Sequence, residues 1–183
     1  MKSWLIAGLI AVVVVAMAVS GYNGLVGINE EVNGKWAQVE NQLQRRADLI
    51  PNLVNTVKGY ASHEQEAIKS VSDARARLAG AQGPGAKAEA DNELSGALSR
   101  LLVITENYPN LKADQNFRAL QDELAGTENR MTVARQDYNN GVQNFNTKVK
   151  TFPTSIYAGM LGFSQREYFK AEETSKKVPE VKF

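Results

Sequence analysis

Apolar residues recur along most of this chain at alternating three- and four-residue steps. The first run is Leu25, Val32, Trp36, Val39, Leu43 and Ile50, with Asn29 and Arg46 filling two slots of the same stripe. A second takes in Leu53, Val57, Tyr60, Glu64, Ile68, Val71 and Leu78, and a third Leu94, Leu98, Leu101, Thr105 and Tyr108. The last and longest comprises Phe117, Leu120, Leu124, Thr127, Met131, Ala134, Tyr138, Val142, Phe145 and Val149. Heptad-like seams of this kind belong to helices packed at shallow angles. No segment alternates with the period of two that a half-buried strand requires.

The breaks between runs are marked by glycine and proline. Gly80 to Ala86 (GAQGPGA) cannot continue a helix, Asn107 to Asn110 (NYPN) forms a second break, and Thr151-Phe152-Pro153 ends the fourth run. Residues 45–53 (RRADLIPNL) pose a different problem. Pro51 has no N–H, and inside an unbroken helix its ring would press on the carbonyl of Ala47. The spacing therefore predicts a joint, with Asp48 as N-cap and Pro51 in the first turn of a new helix. Short connections join antiparallel neighbours. The predicted fold is all-α: an antiparallel four-helix up-and-down bundle preceded by a transmembrane helix. The division is 1–22 anchor, 23–169 helical bundle and 170–183 a charged tail expected to be mobile.

The anchor rests on an uncharged N-terminal stretch: Trp4, Leu5, Ile6, Leu9, Ile10, Val12, Val13, Val14, Val15, Met17 and Val19, ending near Tyr22. On a helix, Trp4 and Tyr22 lie about 27 Å apart, close to the hydrocarbon thickness of a bilayer. Both residue types settle at membrane interfaces. Ala16-Met17-Ala18 also fits a signal-peptide cleavage site, but the apolar character persists beyond it in Leu25, Val26 and Ile28 and favours an uncleaved anchor. Lys2 and the terminal amine on one flank, against Lys35 among Glu30, Glu31 and Glu40 on the other, favour an N-terminus in the cytoplasm and a domain facing outward. A single membrane crossing is expected.

Composition narrows the chemistry. Twenty-one basic against twenty acidic residues leave a formal charge of +1, which gives no reason to expect a nucleic-acid partner. The absence of cysteine removes disulfides and thiol chemistry, and the single histidine, His63, cannot build a histidine cluster. His63 is flanked by Ser62 and Glu64, which on a helix would not face it, so the sequence holds no triad. The glycine-rich loop lacks the lysine and hydroxyl of a phosphate-binding loop. No enzyme activity, cofactor, metal or small-molecule substrate is expected.

What remains is polar residues at or beside the seams. Arg46 lies on the first stripe, and Glu128, Arg135 and Asn139 flank the fourth; Glu106 and Asn116 bracket the third break. Charges at a seam must be paired, so Arg46 is expected to reach Glu128 or Glu106, while Arg45 covers the bundle end and Asn52 belongs to the joint. These groups read either as a network that sets helix register or as a ligand pocket inside the bundle. The segment 152–169 carries Phe152, Ile156, Tyr157, Met160, Leu161, Phe163, Tyr168 and Phe169. It either caps the bundle or offers an interaction surface.

In RRADLIPNL, ENYPNLKADQNF (106–117), LAGTENR (124–130), ARQDYNNGVQNFN (134–146) and TFPTSIYAGMLGF (151–163), the chain closely resembles the LemA family, in order and over nearly its whole length. The resemblance implies a bacterial protein held in the inner membrane by one N-terminal anchor, with an antiparallel helical bundle and no established enzymatic activity. One branch of that family is associated with magnetosome membranes, which implies membrane organisation rather than catalysis. The expected role is a membrane-anchored scaffold whose partner is the bilayer together with a second copy or another envelope protein. The alternative is an envelope ligand-sensing module.

Overall fold

The computed structural model describes residues 2–170, with side chains from Trp4 onward. The described residues form six helices and no strand: α1 (Lys2–Tyr60), α2 (Gln65–Gly80), α3 (Gly83–Thr105), α4 (Pro109–Ala113), α5 (Gln115–Lys150) and α6 (Thr154–Tyr157). The charged tail predicted at 170–183 lies outside the described residues except for Lys170. Two compact units share these helices: one is the chain up to Trp36 with Asp137–Arg166, the other Ala37–Gln136 with Glu167 onward.

The predicted joint at 45–53 is not a joint. α1 runs through it without interruption and ends only at Tyr60, so Leu53 and Val57 belong to the first helix rather than to the second. Pro51 sits within the helix on an exposed face, and Asp48 is exposed and accepts from Gln44 Nε2 at 2.8 Å instead of capping a helix. The physical reason lies in α2. Pro51 cannot donate to the Ala47 carbonyl, and Arg75 Nε donates to that oxygen at 2.7 Å in its place. A buried backbone acceptor is thereby satisfied and the helix continues.

In the second unit, Val39, Leu43, Ile50, Leu53 and Val57 of α1 are buried, as are Ile68, Val71 and Leu78 of α2, Leu94, Leu98 and Leu101 of α3, and Phe117 and Met131 of α5. These are seam positions read from the sequence. Only Ala81 and Gln82 separate α2 from α3, a shorter break than the predicted 80–86, and the two helices pack along one another. Gly83 takes the left-handed backbone (φ 78°) and Pro84 falls in the first turn of α3, where its missing N–H costs nothing. The end of α1 and the turn after it are tied to the two residues that flank α4: Tyr60 donates to Asp114 Oδ2 at 3.0 Å and Tyr108 to Glu64 Oε1 at 2.8 Å. The carboxylates that accept these bonds push both phenol pKa values up.

Asp114 performs the capping that Asp48 does not. Its Oδ1 accepts from Phe117 N–H at 2.9 Å, satisfying one of the orphan donors of α5. That bond, with the Tyr60 hydroxyl bond, lowers the Asp114 pKa. A carboxyl pKa lowered by folding contributes stability above its unfolded value and loses it as pH falls through the folded one.

In the first unit, Leu25 and Val32 of α1 and Tyr138, Val142 and Phe145 of α5 are buried. Trp36 tilts against Tyr138 with ring centroids 5.1 Å apart. Gly141 gives the close approach: a Cβ there would stand 3.0 Å from the Lys35 side chain. After α6 the chain is held to α5 by Asn146, whose side-chain amide donates to the Arg166 carbonyl at 2.9 Å and accepts from its N–H at 2.7 Å.

Replacing the donor of the Ala47 bond, Arg75→Met, is expected to lower the unfolding free energy by about 1–3 kcal/mol in chemical denaturation, because it strands a carbonyl that has no helical partner. Pro51→Ala gives that carbonyl an N–H of its own, so in the double variant the Arg75 loss should shrink. Strictly additive losses would show that the two groups act independently.

Candidate functional site

The side-chain cluster with the strongest electrostatics lies in the second unit around Arg46. Its place on the buried stripe of α1 leaves the side chain only 6% exposed. Nη1 contacts Asp91 Oδ1 of α3 at 2.7 Å and Glu128 Oε2 of α5 at 2.8 Å, and Nη2 donates to Ser95 Oγ at 2.9 Å. Arg135, two turns beyond Glu128 on α5, approaches Asp91 Oδ2 at 3.8 Å and stacks over the Phe169 ring at 5.8 Å. Two cations therefore face two anions, and the group is neutral as a whole. A planar, forked guanidinium is the side chain suited to joining two helices in this way.

Asp91 is the most demanding member. Burial raises its pKa, Arg46 opposes that shift, and the nearby Glu128 charge adds to it. Despite the 2.7 Å ion pair, desolvation dominates, because Asp91 is 1% exposed whereas Glu128 stays open to solvent. Asp91 Oδ2 and Arg46 Nε are buried without a hydrogen-bond partner. This is a costly arrangement, held by the surrounding packing.

Several predicted network residues lie elsewhere. Arg45 pairs with Glu123, which Arg130 also reaches at 3.2 Å, forming an exposed layer outside the buried cluster. Glu106, offered as a partner for Arg46, instead pairs with Lys112 at the exposed turn before α4. Asn116 contributes its N–H to the Asp114 cap, and Asn52 offers its carbonyl to Thr56. Asn139 is half-buried on α5. The partners absent from the sequence reading are Asp91 and Ser95. A signal for Asp91 was present: it stands three residues before Leu94 and seven before Leu98, in phase with the α3 seam.

Chemically, the cluster can hold helices in register or accept a small polar ligand; its carboxylates are already engaged by arginines. Among the described residues no three His, Asp or Glu side chains converge as metal ligands would. Of the predicted interaction surface, Phe152, Ile156, Met160 and Leu161 are exposed, Tyr157, Phe163 and Tyr168 are half-buried, and Phe169 is buried. The N-terminal part of α1, from Trp4, is long and apolar enough to cross a membrane, and its side chains from Trp4 to Val19 are exposed.

Comparison with known proteins yields a match to the model of the LemA family over residues 35–183. The magnetosome protein MamQ 2 of Paramagnetospirillum magneticum is 28% identical over 191 aligned positions, covering 90% of this chain and 70% of the relative. MamQ of Magnetospirillum gryphiswaldense is 26% identical, covering 81% and 64%. Protein LemA of Metamycoplasma hominis is 22% identical, covering 84% and 71%.

Removing the buried acid alone, Asp91→Ala, leaves Arg46 in the core with only a rim carboxylate, and a loss of about 3–5 kcal/mol is expected. Replacing both partners, Arg46→Met with Asp91→Leu, should recover most of it. The sign of the pH dependence is also fixed. With the folded pKa of Asp91 above the unfolded one, the folded chain binds the extra proton between the two, so this group's contribution falls as pH rises through that window. Denaturation across pH should show the wild type losing ground to Asp91→Asn on rising from the ordinary carboxylate range. The opposite slope would mean that Arg46 outweighs burial.

Proposed function

We propose that this chain, which belongs to the LemA family, is a single-pass membrane-anchored helical scaffold that binds itself or another envelope protein and catalyses no reaction. In this reading the start of α1 crosses the bacterial inner membrane with its N-terminus in the cytoplasm. The second half of α1, with α2, α3 and α5, forms an antiparallel up-and-down four-helix bundle on the outer side.

The observation that carries the proposal is the division of labour within α1. Trp4, Leu5, Leu9, Val12 and Met17 are exposed on the same unbroken helix whose residues from Val39 onward are core. So many large apolar side chains are stable in lipid and costly in water. The relatives named as magnetosome proteins support a role in membrane organisation.

A second reading, ligand sensing through the Arg46 cluster, is favoured by one observation, the buried Asp91 oxygen without a hydrogen bond. Against it stands the internal charge balance of the group, which leaves a ligand no net charge to neutralise.

Because the chain has no cysteine, single cysteines and photo-crosslinkers can be placed cleanly. Crosslinkers at the exposed Val103 and Val133 should capture a discrete partner or a second copy in living cells. A chain that stays monomeric and uncrosslinked from every exposed helix face would sink the scaffold. Val103→Cys should be labelled from outside intact inner membranes by an impermeant maleimide. Labelling only after lysis would reverse the orientation.

A further inference from the structure

The segment that follows α5 faces the wrong way for a water-soluble loop. Thr154 and Ala158 are buried and fix it in place, while Phe152 (76%), Ile156 (63%) and Met160 (77%) stand outward at four-residue steps, with Leu161 beside them. Within the first unit this segment lies against the apolar part of α1. The Tyr157 hydroxyl occupies the space where a Gly21 Cβ would be, and Phe163 packs on Tyr22 with centroids 5.8 Å apart. A cavity of about 570 Å³ between them is lined by Val13, Met17, Gly21, Lys148, Pro153 and Tyr157. The segment that bears the outward apolar side chains thus lies beside the apolar part of α1, where Val13 and Met17 are likewise exposed.

The charge pattern points the same way. From Asp137 to Glu167 no acidic residue intervenes, and Lys148 and Lys150 close α5 directly before Phe152. Lysines beside an apolar surface lay their stems along it and present their ammonium groups to lipid phosphates.

We propose that residues 148–161 form a second membrane contact beside the α1 span. Phe152, Ile156, Met160 and Leu161 enter the interfacial layer of the leaflet on the domain side, and Lys148 and Lys150 bind anionic headgroups. The assignment rests on the reading of α1 as a membrane span. Lying in the interface rather than across the bilayer is the behaviour of a short segment with one apolar face and flanking lysines. A bilayer accounts for the exposed side chains, the segment's place beside α1 and the absence of acid together.

The test uses the full chain in nanodiscs of phosphatidylcholine, with or without phosphatidylglycerol, carrying one environment-sensitive fluorophore at a time on Met160→Cys, Met17→Cys or Val103→Cys. Lipids brominated near the headgroup should quench the Met160 label several-fold more than the Val103 label, with blue-shifted emission. Lipids brominated deep in the chain should quench the Met17 label. Adding Lys148→Gln and Lys150→Gln should remove the part of the Met160 quenching that depends on phosphatidylglycerol. A Met160 label that behaves like the Val103 label, while Met17 is quenched, overturns the second contact, leaves the span standing and frees the patch for a protein partner. A Met17 label in water overturns the span and, with it, this inference.

Discussion

Pro51 sets the problem that α1 has to solve. A proline deep in a helix removes a hydrogen bond and crowds the carbonyl four residues before it, and the usual outcome is a kink or a stop. Here the stranded Ala47 oxygen is taken by Arg75 of α2. Arg46, one residue earlier, is taken by Asp91 and Ser95 of α3 and by Glu128 of α5. Two consecutive residues of α1 thus tie it to three other helices. The core on both sides of the proline, from Val39 to Val57, follows from that arrangement.

Buried charges at such a point can select a register even where they add little stability. Burial, with the Glu128 charge adding to it, pushes the Asp91 carboxyl up even beside Arg46, and an apolar pair of similar volume would fit the same space. What an apolar pair lacks is a penalty for slipping. Only one axial setting places Asp91 and Glu128 together on the same guanidinium nitrogen. A seam of alanine and leucine, such as Ala90, Leu94, Ala97 and Leu98 on α3, would otherwise tolerate neighbouring registers.

Much of this was legible in the sequence. The seam residues Leu43, Ile50, Val71, Leu94, Leu101, Met131 and Phe145 are all buried, because three-four spacing reports the inward face of a helix whatever it packs against. The inward course of Arg46 could be read for the same reason. The continuity of α1 could not, because the donor that rescues Ala47 is 28 residues away and arrives only through tertiary packing. The same blindness assigned a cap to Asp48, while the residue that caps is Asp114, three positions before Phe117. Asp91 was missed although its phase with Leu94 and Leu98 was visible; an acidic residue in an alanine-rich stretch reads as surface until its partner is known.

α1 thus carries two kinds of surface on one backbone: apolar and exposed at its start, and packed into a core of helices toward its end. The continuity of this helix through Pro51 can be read from a distance. Spin labels on cysteines at the exposed Gln44 and Lys58, which flank the proline, lie about 21 Å apart along an uninterrupted helix at 1.5 Å per residue. Pulsed electron–electron resonance on the full chain should give one narrow distribution near that value. A broad or markedly shorter distribution would restore the joint at Asp48–Pro51 and contradict the account.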